Sequence, residues 1–180
     1  MTDTTRIVAL VGSLRADSLN RRIAEALRDQ APDGVVVEIA AGLHELPFYN
    51  EDIDSDAAPA AAAALRTLVG GADAVLAVTP EYNGTMPAVL NNAIDWLSRP
   101  YGVSAITGKP FGVVGATPTP YGGKWAHEDA RRSATIAGAQ VVDAALVSQS
   151  AVEVDVLNDP EVIARFTDAL RSLSNFQPAA

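Results

Sequence analysis

Five short apolar runs recur along the chain and predict five β-strands. They occupy residues 7–11, 35–39, 74–78, 111–116 and 141–147. Most of these runs are nearly continuous in Val, Ile, Leu and Ala, which is typical of strands buried on both faces. Strands of this kind form parallel sheets covered by helices, so the pattern favours an α/β fold.

The segments between the runs have helical patterns. Predicted helices cover residues 19–31, 57–68, 87–98, about 124–137, and a last stretch opened by Asp159 and Pro160. In the first helix, Leu19, Ile23 and Leu27 fall on one face. Strands that alternate with helices predict a doubly wound five-stranded parallel sheet with helices on both faces. We expect the strand order 2-1-3-4-5 and one domain over residues 1–180.

The loop after the first strand has the makings of an anion site. A strand, a turn and a helix start follow one another, so backbone N–H groups and the positive end of the helix point towards a ligand. Ser13 and Ser18 offer hydroxyls, Asn20 an amide, and Arg15 a guanidinium that suits a phosphate. The alternative is that Ser18 and Asn20 only cap the helix.

The same loop lacks the known dinucleotide and nucleoside triphosphate signatures. It contains neither G-x-G-x-x-G nor G-K-[ST]. A loop rich in side-chain donors is better suited to a terminal monophosphate than to a pyrophosphate, which is approached by glycine backbone.

Two further loops are rich in turn residues and aromatic residues. They follow the third strand, at residues 79–87, and the fourth strand, at residues 117–123. In the predicted strand order, these loops and the first loop converge at the carboxyl edge of the sheet, where α/β proteins of this kind bind ligands.

Composition excludes several classes of function. The net charge of −9 argues against nucleic acid and anionic membranes as partners. The chain has no cysteine, and its two histidines show no ligand-like spacing, so we expect no disulfide, thiol chemistry or metal site. No apolar run reaches 18 residues and the first residues do not resemble a signal peptide, so we expect a cytoplasmic protein.

Three motifs resemble those of the NADPH-dependent FMN reductase family, which contains flavodoxin-like quinone, chromate and azo-dye reductases. They are G-S-L-R-x-x-S-x-N at residues 12–20, L-P-x-Y-N-E-D at 46–52 and P-E-Y-N-G at 80–84. The resemblance implies FMN as cofactor, with NADPH or NADH as co-substrate. It implies that Ser13, Arg15, Ser18 and Asn20 hold the phosphate and that Tyr82 packs near the flavin ring. The full implied cofactor site is Ser13, Arg15, Ser18, Leu19, Asn20, Pro80, Glu81, Tyr82, Asn83, Gly84 and Thr117.

The third loop departs from the family pattern. Thr117 lies where the family usually has a Ser near the flavin, but Thr119 and Pro120 replace a Gly and a cation. The replacement stiffens the loop and removes a positive charge. We expect this difference to affect nicotinamide or acceptor binding more than FMN binding.

The resemblance implies a ping-pong reaction in which NAD(P)H reduces flavin N5 and an acceptor then reoxidises it. Quinones, free flavin, azo compounds and metal oxyanions are the implied acceptors, and no side chain is assigned as catalytic acid or base. Two alternatives remain open at this stage. One is a flavodoxin-like electron carrier, and the other is a nucleotide-binding module without redox activity.

Helix 87–98 suggests self-association. Val89, Leu90, Ala93, Ile94, Trp96 and Leu97 span more of its circumference than packing on a sheet requires. We therefore expect a homodimer or tetramer through this helix, with Asn92 and Asp95 pairing across a two-fold axis.

Overall fold

A five-stranded parallel sheet forms the centre of the molecule. The structure is a computed structural model that describes residues 4–55 and 57–177. The strand order is β2-β1-β3-β4-β5, as predicted. The strands are β1 (Thr5–Val11), β2 (Val35–Ile39), β3 (Ala74–Val78), β4 (Pro110–Thr117) and β5 (Gln140–Ser150). Every residue of β3 is buried, which explains why this strand contains no polar side chain.

The last strand is longer than its apolar run predicts. We expected residues 141–147, but β5 continues through Ser148, Gln149 and Ser150, which pair with the end of β4. The polar residues stay in the strand because their backbone continues the ladder with β4. This extension brings Ser148 towards the carboxyl edge of the sheet, where the site lies.

Five helices cover the two faces of the sheet. They are α1 (Leu19–Asp29), α2 (Ala60–Gly70), α3 (Ala88–Leu97), α4 (Lys124–Ile136) and α5 (Pro160–Ser174). The start of α5 is as predicted: the Asp159 carboxylate accepts hydrogen bonds from the N–H groups of Glu161 and Val162. Helix α2 begins later than predicted because Pro59 disfavours helical backbone at the residue before it.

The core lies in two layers, one on each side of the sheet. The layer under α2, α3 and α4 contains Trp96, Ile106 and Leu90. The layer under α1 and α5 contains Phe166 and Leu170. The sheet is therefore covered on both faces, as the continuous apolar strands require. No helix in the described part of the chain is long and apolar enough to cross a membrane.

The apolar arc of α3 is buried inside one chain. Leu90, Ala93, Ile94, Trp96 and Leu97 are all fully or almost fully buried. The indole N–H of Trp96 donates to the carbonyl of Pro47 at 2.8 Å, and the ring of Tyr49 meets the indole edge-on at 5.1 Å. The wide arc therefore packs against both the sheet and the 46–52 loop. The width of the arc is therefore explained within one chain and is no evidence for a partner, so the expected interface through helix 87–98 stays a prediction.

Asn92 likewise serves the interior. Its side-chain oxygen accepts a hydrogen bond from the N–H of Tyr49 at 2.8 Å, and its amide donates to the carbonyl of Pro47 at 3.0 Å. The expected pairing of Asn92 across a two-fold axis is wrong, because the oxygen and the nitrogen of its side chain both bond to the 46–52 loop. Asp95 accepts a hydrogen bond from Asn91 on its own helix, and partial burial raises the pKa of its carboxyl.

An ion pair fixes the far end of the same loop. The guanidinium of Arg66, on α2, donates to both carboxylate oxygens of Asp54 at 2.7 and 2.8 Å. It also donates to the carbonyl of Trp96 at 2.9 Å, so one side chain joins α2, α3 and the loop. The Arg66 guanidinium holds the pKa of the Asp54 carboxyl below its usual value.

Candidate active site

An open crevice lies at the carboxyl ends of β1, β3 and β4. It encloses about 230 Å³ and is lined by Ser13, Arg15, Ser18, Leu19, Asn20, Pro80, Glu81, Tyr82, Ala116, Thr117, Pro118 and Thr119. The crevice is next to the point between β1 and β3 where the strand order reverses, which is where doubly wound sheets bind ligands. Nine of the eleven predicted site residues are brought together here; Asn83 and Gly84 do not line the crevice.

Ser13 and Arg15 have no partners within the described part of the chain. Ser13 is buried, yet its hydroxyl forms no hydrogen bond there. Arg15 is exposed and forms neither a hydrogen bond nor an ion pair with a described residue. Ser13 lines the open crevice, so its hydroxyl has its hydrogen-bonding capacity available for a ligand.

Ser18 caps the first helix while it lines the crevice. Its hydroxyl oxygen accepts a hydrogen bond from the N–H of Arg21 at 3.2 Å, as an N-cap residue does. The capping role proposed as the alternative is therefore real for Ser18. Its O–H remains free to donate, so capping and anion binding are compatible.

Asn20 is a brace between two elements. Its amide donates to the carbonyl of Ala116 at 2.9 Å, and its side-chain oxygen accepts from the N–H of the same residue at 2.9 Å. The buried side chain thus fixes the start of α1 against the end of β4. The Asn20 amide has two N–H donors, and only the second one is left for a ligand.

Residues 82–85 form a tight turn above the crevice. Tyr82 and Thr85 exchange both backbone hydrogen bonds, at 3.0 and 3.1 Å. Asn83 and Gly84 between them have φ angles of 54° and 73°. Asn-Gly is the preferred pair for such a turn because both residues tolerate positive φ. These two predicted site residues therefore shape the loop, and Tyr82 remains half-exposed at the crevice.

Glu81 ties this loop to α4. One carboxylate oxygen accepts hydrogen bonds from the N–H groups of Trp125 and Ala126, at 3.1 and 3.2 Å. The N-cap residue of α4 is Gly123, which has no side chain to satisfy those donors, so Glu81 does so from another loop. A second tie is the hydroxyl of Thr85, which donates to the Asp129 carboxylate at 2.5 Å.

His127 lies beneath the site and is fully buried. Its Nε2 lies 3.2 Å from the carbonyl of Thr79 and its Nδ1 lies 2.7 Å from the Ser148 hydroxyl. Since a carbonyl only accepts, Nε2 carries the proton, and Nδ1 accepts from Ser148. Burial lowers the pKa of His127. The ring joins α4, β5 and the residue before the 80–84 loop.

Sequence analysis missed His127 because its partners are 21 and 48 residues away. Gly115 was missed for the same reason. A Cβ atom at this position would lie only 2.1 Å from the Thr79 carbonyl oxygen and 2.8 Å from the Asn20 side chain. Only glycine lets β4 pass this close to the two site loops.

The third loop ends in an exposed aromatic pair. The Thr117 hydroxyl hydrogen-bonds with that of Thr119 at 2.9 Å inside the crevice. Beyond it, the rings of Tyr121 and Trp125 have centroids 4.7 Å apart, and they are 56% and 40% exposed. The ammonium of Lys124 lies 5.1 Å from the indole and 5.9 Å from the phenol ring.

The fold and the crevice define a flavodoxin-like α/β protein with an open crevice at its switch point. The model of the NADPH-dependent FMN reductase family matches residues 5–153. The chain belongs to this family, and is thus an FMN-dependent oxidoreductase that uses NAD(P)H.

Individual proteins agree with this assignment. A quinone reductase from Pseudomonas putida is 44% identical over 133 residues, 74% of this chain and 71% of the relative. A 2-hydroxy-1,4-benzoquinone reductase from Burkholderia sp. is 45% identical over 112 residues, 62% of this chain and 60% of that one. The structure of FerB, a flavoenzyme NAD(P)H:(acceptor) oxidoreductase from Paracoccus denitrificans, matches 94% of this chain and 99% of its own with a TM-score of 0.74 and 28% identity.

Proposed function

We propose that the protein is a quinone reductase in which NAD(P)H and a quinone react in turn at one FMN. The observation that carries the proposal is a crevice at the N-terminus of α1 that is lined by Ser13 and Arg15, whose polar side chains have no partner among the described residues. These donors fit a terminal phosphate in charge and in kind. The chemistry that bound FMN supplies is hydride acceptance at N5, followed by release of the reducing equivalents to the acceptor.

The size of the crevice suits only part of FMN. Pockets that enclose a whole small ligand usually hold roughly 300–1,000 Å³, more than the 230 Å³ found here. The phosphate and ribityl chain would occupy the crevice, and the ring would lie on the surface beside Tyr82. Residues 80–84 would then orient the ring through their backbone, which Glu81 and Thr85 hold against α4.

The chain itself needs no acid or base at the ring. Among the residues that line the crevice, Glu81 is the only carboxylate, and its oxygen already accepts two backbone hydrogen bonds. The residues of the site would therefore bind and orient the flavin, and the flavin would supply the redox chemistry. The names of the Pseudomonas and Burkholderia relatives support a quinone as the acceptor.

Anaerobic reduction tests the proposal. The FMN-loaded protein should lose its flavin absorbance when NADPH is added and regain it when a benzoquinone is added. Initial rates at several quinone concentrations should give parallel double-reciprocal lines, the pattern expected when the first product leaves before the second substrate binds. A protein that keeps its absorbance until a partner reductase is supplied would be an electron carrier instead. One that takes up no FMN would be neither.

We also propose that the chain forms homo-oligomers through a groove between α3 and α4, lined by Ile94 of α3 and Ile136 of α4. Tyr101, Val103 and Ile136 are 75%, 79% and 68% exposed. Tyr101 and Ile136 line the same groove of about 270 Å³, together with Asp95 and Arg99. Two highly exposed apolar side chains at one groove are typical of a contact surface, and a second copy offers the same groups. We place the reaction in the cytoplasm, where NAD(P)H is regenerated.

A further inference from the structure

The third loop and the first turn of α4 carry an exposed aromatic and cationic cluster, formed by Tyr121, Lys124 and Trp125. Of the two tryptophans in the chain, Trp96 is fully buried and Trp125 is not. Tyr121 and Trp125 are both exposed, and their rings contact each other. Their exposure is typical of a surface on which a planar group stacks.

The cation of this cluster is unpaired. Within the described residues, no carboxylate lies within 4 Å of the Lys124 ammonium, and Glu128, one turn further along α4, does not pair with it. The Glu81 carboxylate is directed at the backbone N–H groups of Trp125 and Ala126. On a chain with a net charge of −9, an unpaired lysine beside exposed rings favours an anionic ligand at this position.

The cluster is continuous with the crevice. Glu81 lines the crevice, and its carboxylate accepts a hydrogen bond from the N–H of Trp125 at 3.1 Å. A ligand whose reactive end lies at Tyr82 and Thr117 can therefore extend along the third loop to the cluster. This ligand would have to carry both a planar group and a phosphate at its far end.

We infer that Tyr121, Lys124 and Trp125 bind the adenosine end of NADPH. The adenine stacks on the aromatic pair and the 2′-phosphate pairs with Lys124. This inference rests on the proposed function and adds the coenzyme preference to it: NADPH over NADH. Lys124 would also supply a positive charge near the third loop, where Thr119 and Pro120 replace the Gly and the cation of the family pattern.

Direct binding of adenosine 2′,5′-bisphosphate to the FMN-loaded protein tests this inference without turnover. The probe contains the adenosine end of NADPH and no nicotinamide. We expect it to quench the fluorescence of the exposed Trp125, and we expect 5′-AMP to bind at least fivefold more weakly. Lys124→Ala should weaken the bisphosphate at least fivefold by calorimetry. Arg28→Ala, which removes one positive charge at the far end of α1, is the matched control and should leave binding unchanged.

Steady-state kinetics give a second readout. Lys124→Ala should raise the KM for NADPH at least fivefold and leave the KM for NADH and the affinity for FMN unchanged. Tyr121→Ala and Trp125→Leu should raise the KM for both coenzymes. Reduced nicotinamide mononucleotide, which lacks adenosine, should react equally well with all variants.

Two results would overturn the inference. One is an unchanged KM for NADPH in all three variants, with the bisphosphate binding no better than 5′-AMP. The other is a raised KM for the quinone alone, which would make the cluster an acceptor site. Failure of the proposed function has a different signature, because wild-type flavin would then be bleached by neither NADPH nor reduced nicotinamide mononucleotide.

Discussion

At the scale of single residues, the proposed phosphate site combines side chains that have no partner in the described chain with side chains that also hold the fold. Ser13 and Arg15 are free of partners within the described chain, whereas Ser18 and Asn20 also hold the start of α1 in place. Loss of Arg15 should therefore affect ligand binding alone, and loss of Asn20 should also loosen the joint between α1 and β4.

Arg15→Ala should weaken FMN binding by roughly 1.5–3 kcal/mol, because it removes a charge-assisted hydrogen bond to the phosphate. Riboflavin lacks the phosphate, so its affinity should hardly change. Fluorescence titration of the flavin-free protein with both ligands measures the difference. Equal losses for FMN and riboflavin would show that this loop does not hold a phosphate.

His127 should make stability depend on pH. Its pKa is lowered in the folded protein. Below about pH 6.5 the imidazole is therefore protonated in the unfolded chain while it stays neutral in the folded chain. The free energy of unfolding should therefore fall as the pH falls below that value, by at most about 1.4 kcal/mol per pH unit from this group.

His127→Gln keeps an N–H donor for Thr79 and removes the titration. Urea unfolding of the flavin-free protein at pH 5 and pH 8 should show a smaller pH effect in this variant than in the wild type. The comparison between the two proteins cancels the other titrating groups. An identical pH dependence in both would mean that His127 is not the group responsible.

At the scale of elements, the 80–84 loop and α4 are one unit. Glu81 satisfies the helix start that Gly123 leaves open, and Thr85 bonds to Asp129 on the same helix. The helix is therefore capped by the loop that contacts the ligand, so the position of one constrains the other.

Glu81→Ala should destabilise the flavin-free protein by about 0.5–2 kcal/mol, the usual cost of losing an N-cap acceptor. Glu81→Gln keeps a side-chain oxygen and should lose less than half as much. Thermal unfolding of both variants compares the two. If Gln and Ala were equally harmful, the carboxylate charge and not the hydrogen bonds would be what stabilises α4.

At the scale of the whole molecule, assembly depends on which apolar side chains stay exposed after folding. The apolar side of α3 that suggested a partner is covered by the chain's own 46–52 loop. The exposed apolar residues Tyr101 and Ile136 line the groove between α3 and α4 and are the better basis for self-association.

Ile136→Glu should shift the protein towards monomers, because a carboxylate in an apolar contact is costly to bury. Light scattering at micromolar concentration measures the mass, and Val152→Glu, another exposed apolar position, is the control. A wild-type protein that is already monomeric would contradict the proposed oligomer. An Ile136→Glu variant with the wild-type oligomeric mass would contradict the proposed surface.

The sequence by itself determined the strands, the helices and the loops that form the crevice. Continuous apolar strands are typical of a parallel sheet, and the carboxyl ends of such strands meet at one edge, so Ser13, Tyr82 and Thr117 come together there. Motif resemblance supplied the family, which comparison with known proteins confirmed.

Tertiary structure decided which side chains are free to act. Asn20, Glu81 and Asn92 look like ligand or partner contacts in the sequence, yet each is used to hold distant backbone. His127 and Gly115 show the reverse, since nothing local marks them and both lie against Thr79. The pattern of hydrophobic and polar residues indicates which positions are buried and whether a segment is a helix or a strand. The hydrogen-bond partner of a polar group is fixed only when folding brings remote segments within hydrogen-bonding distance.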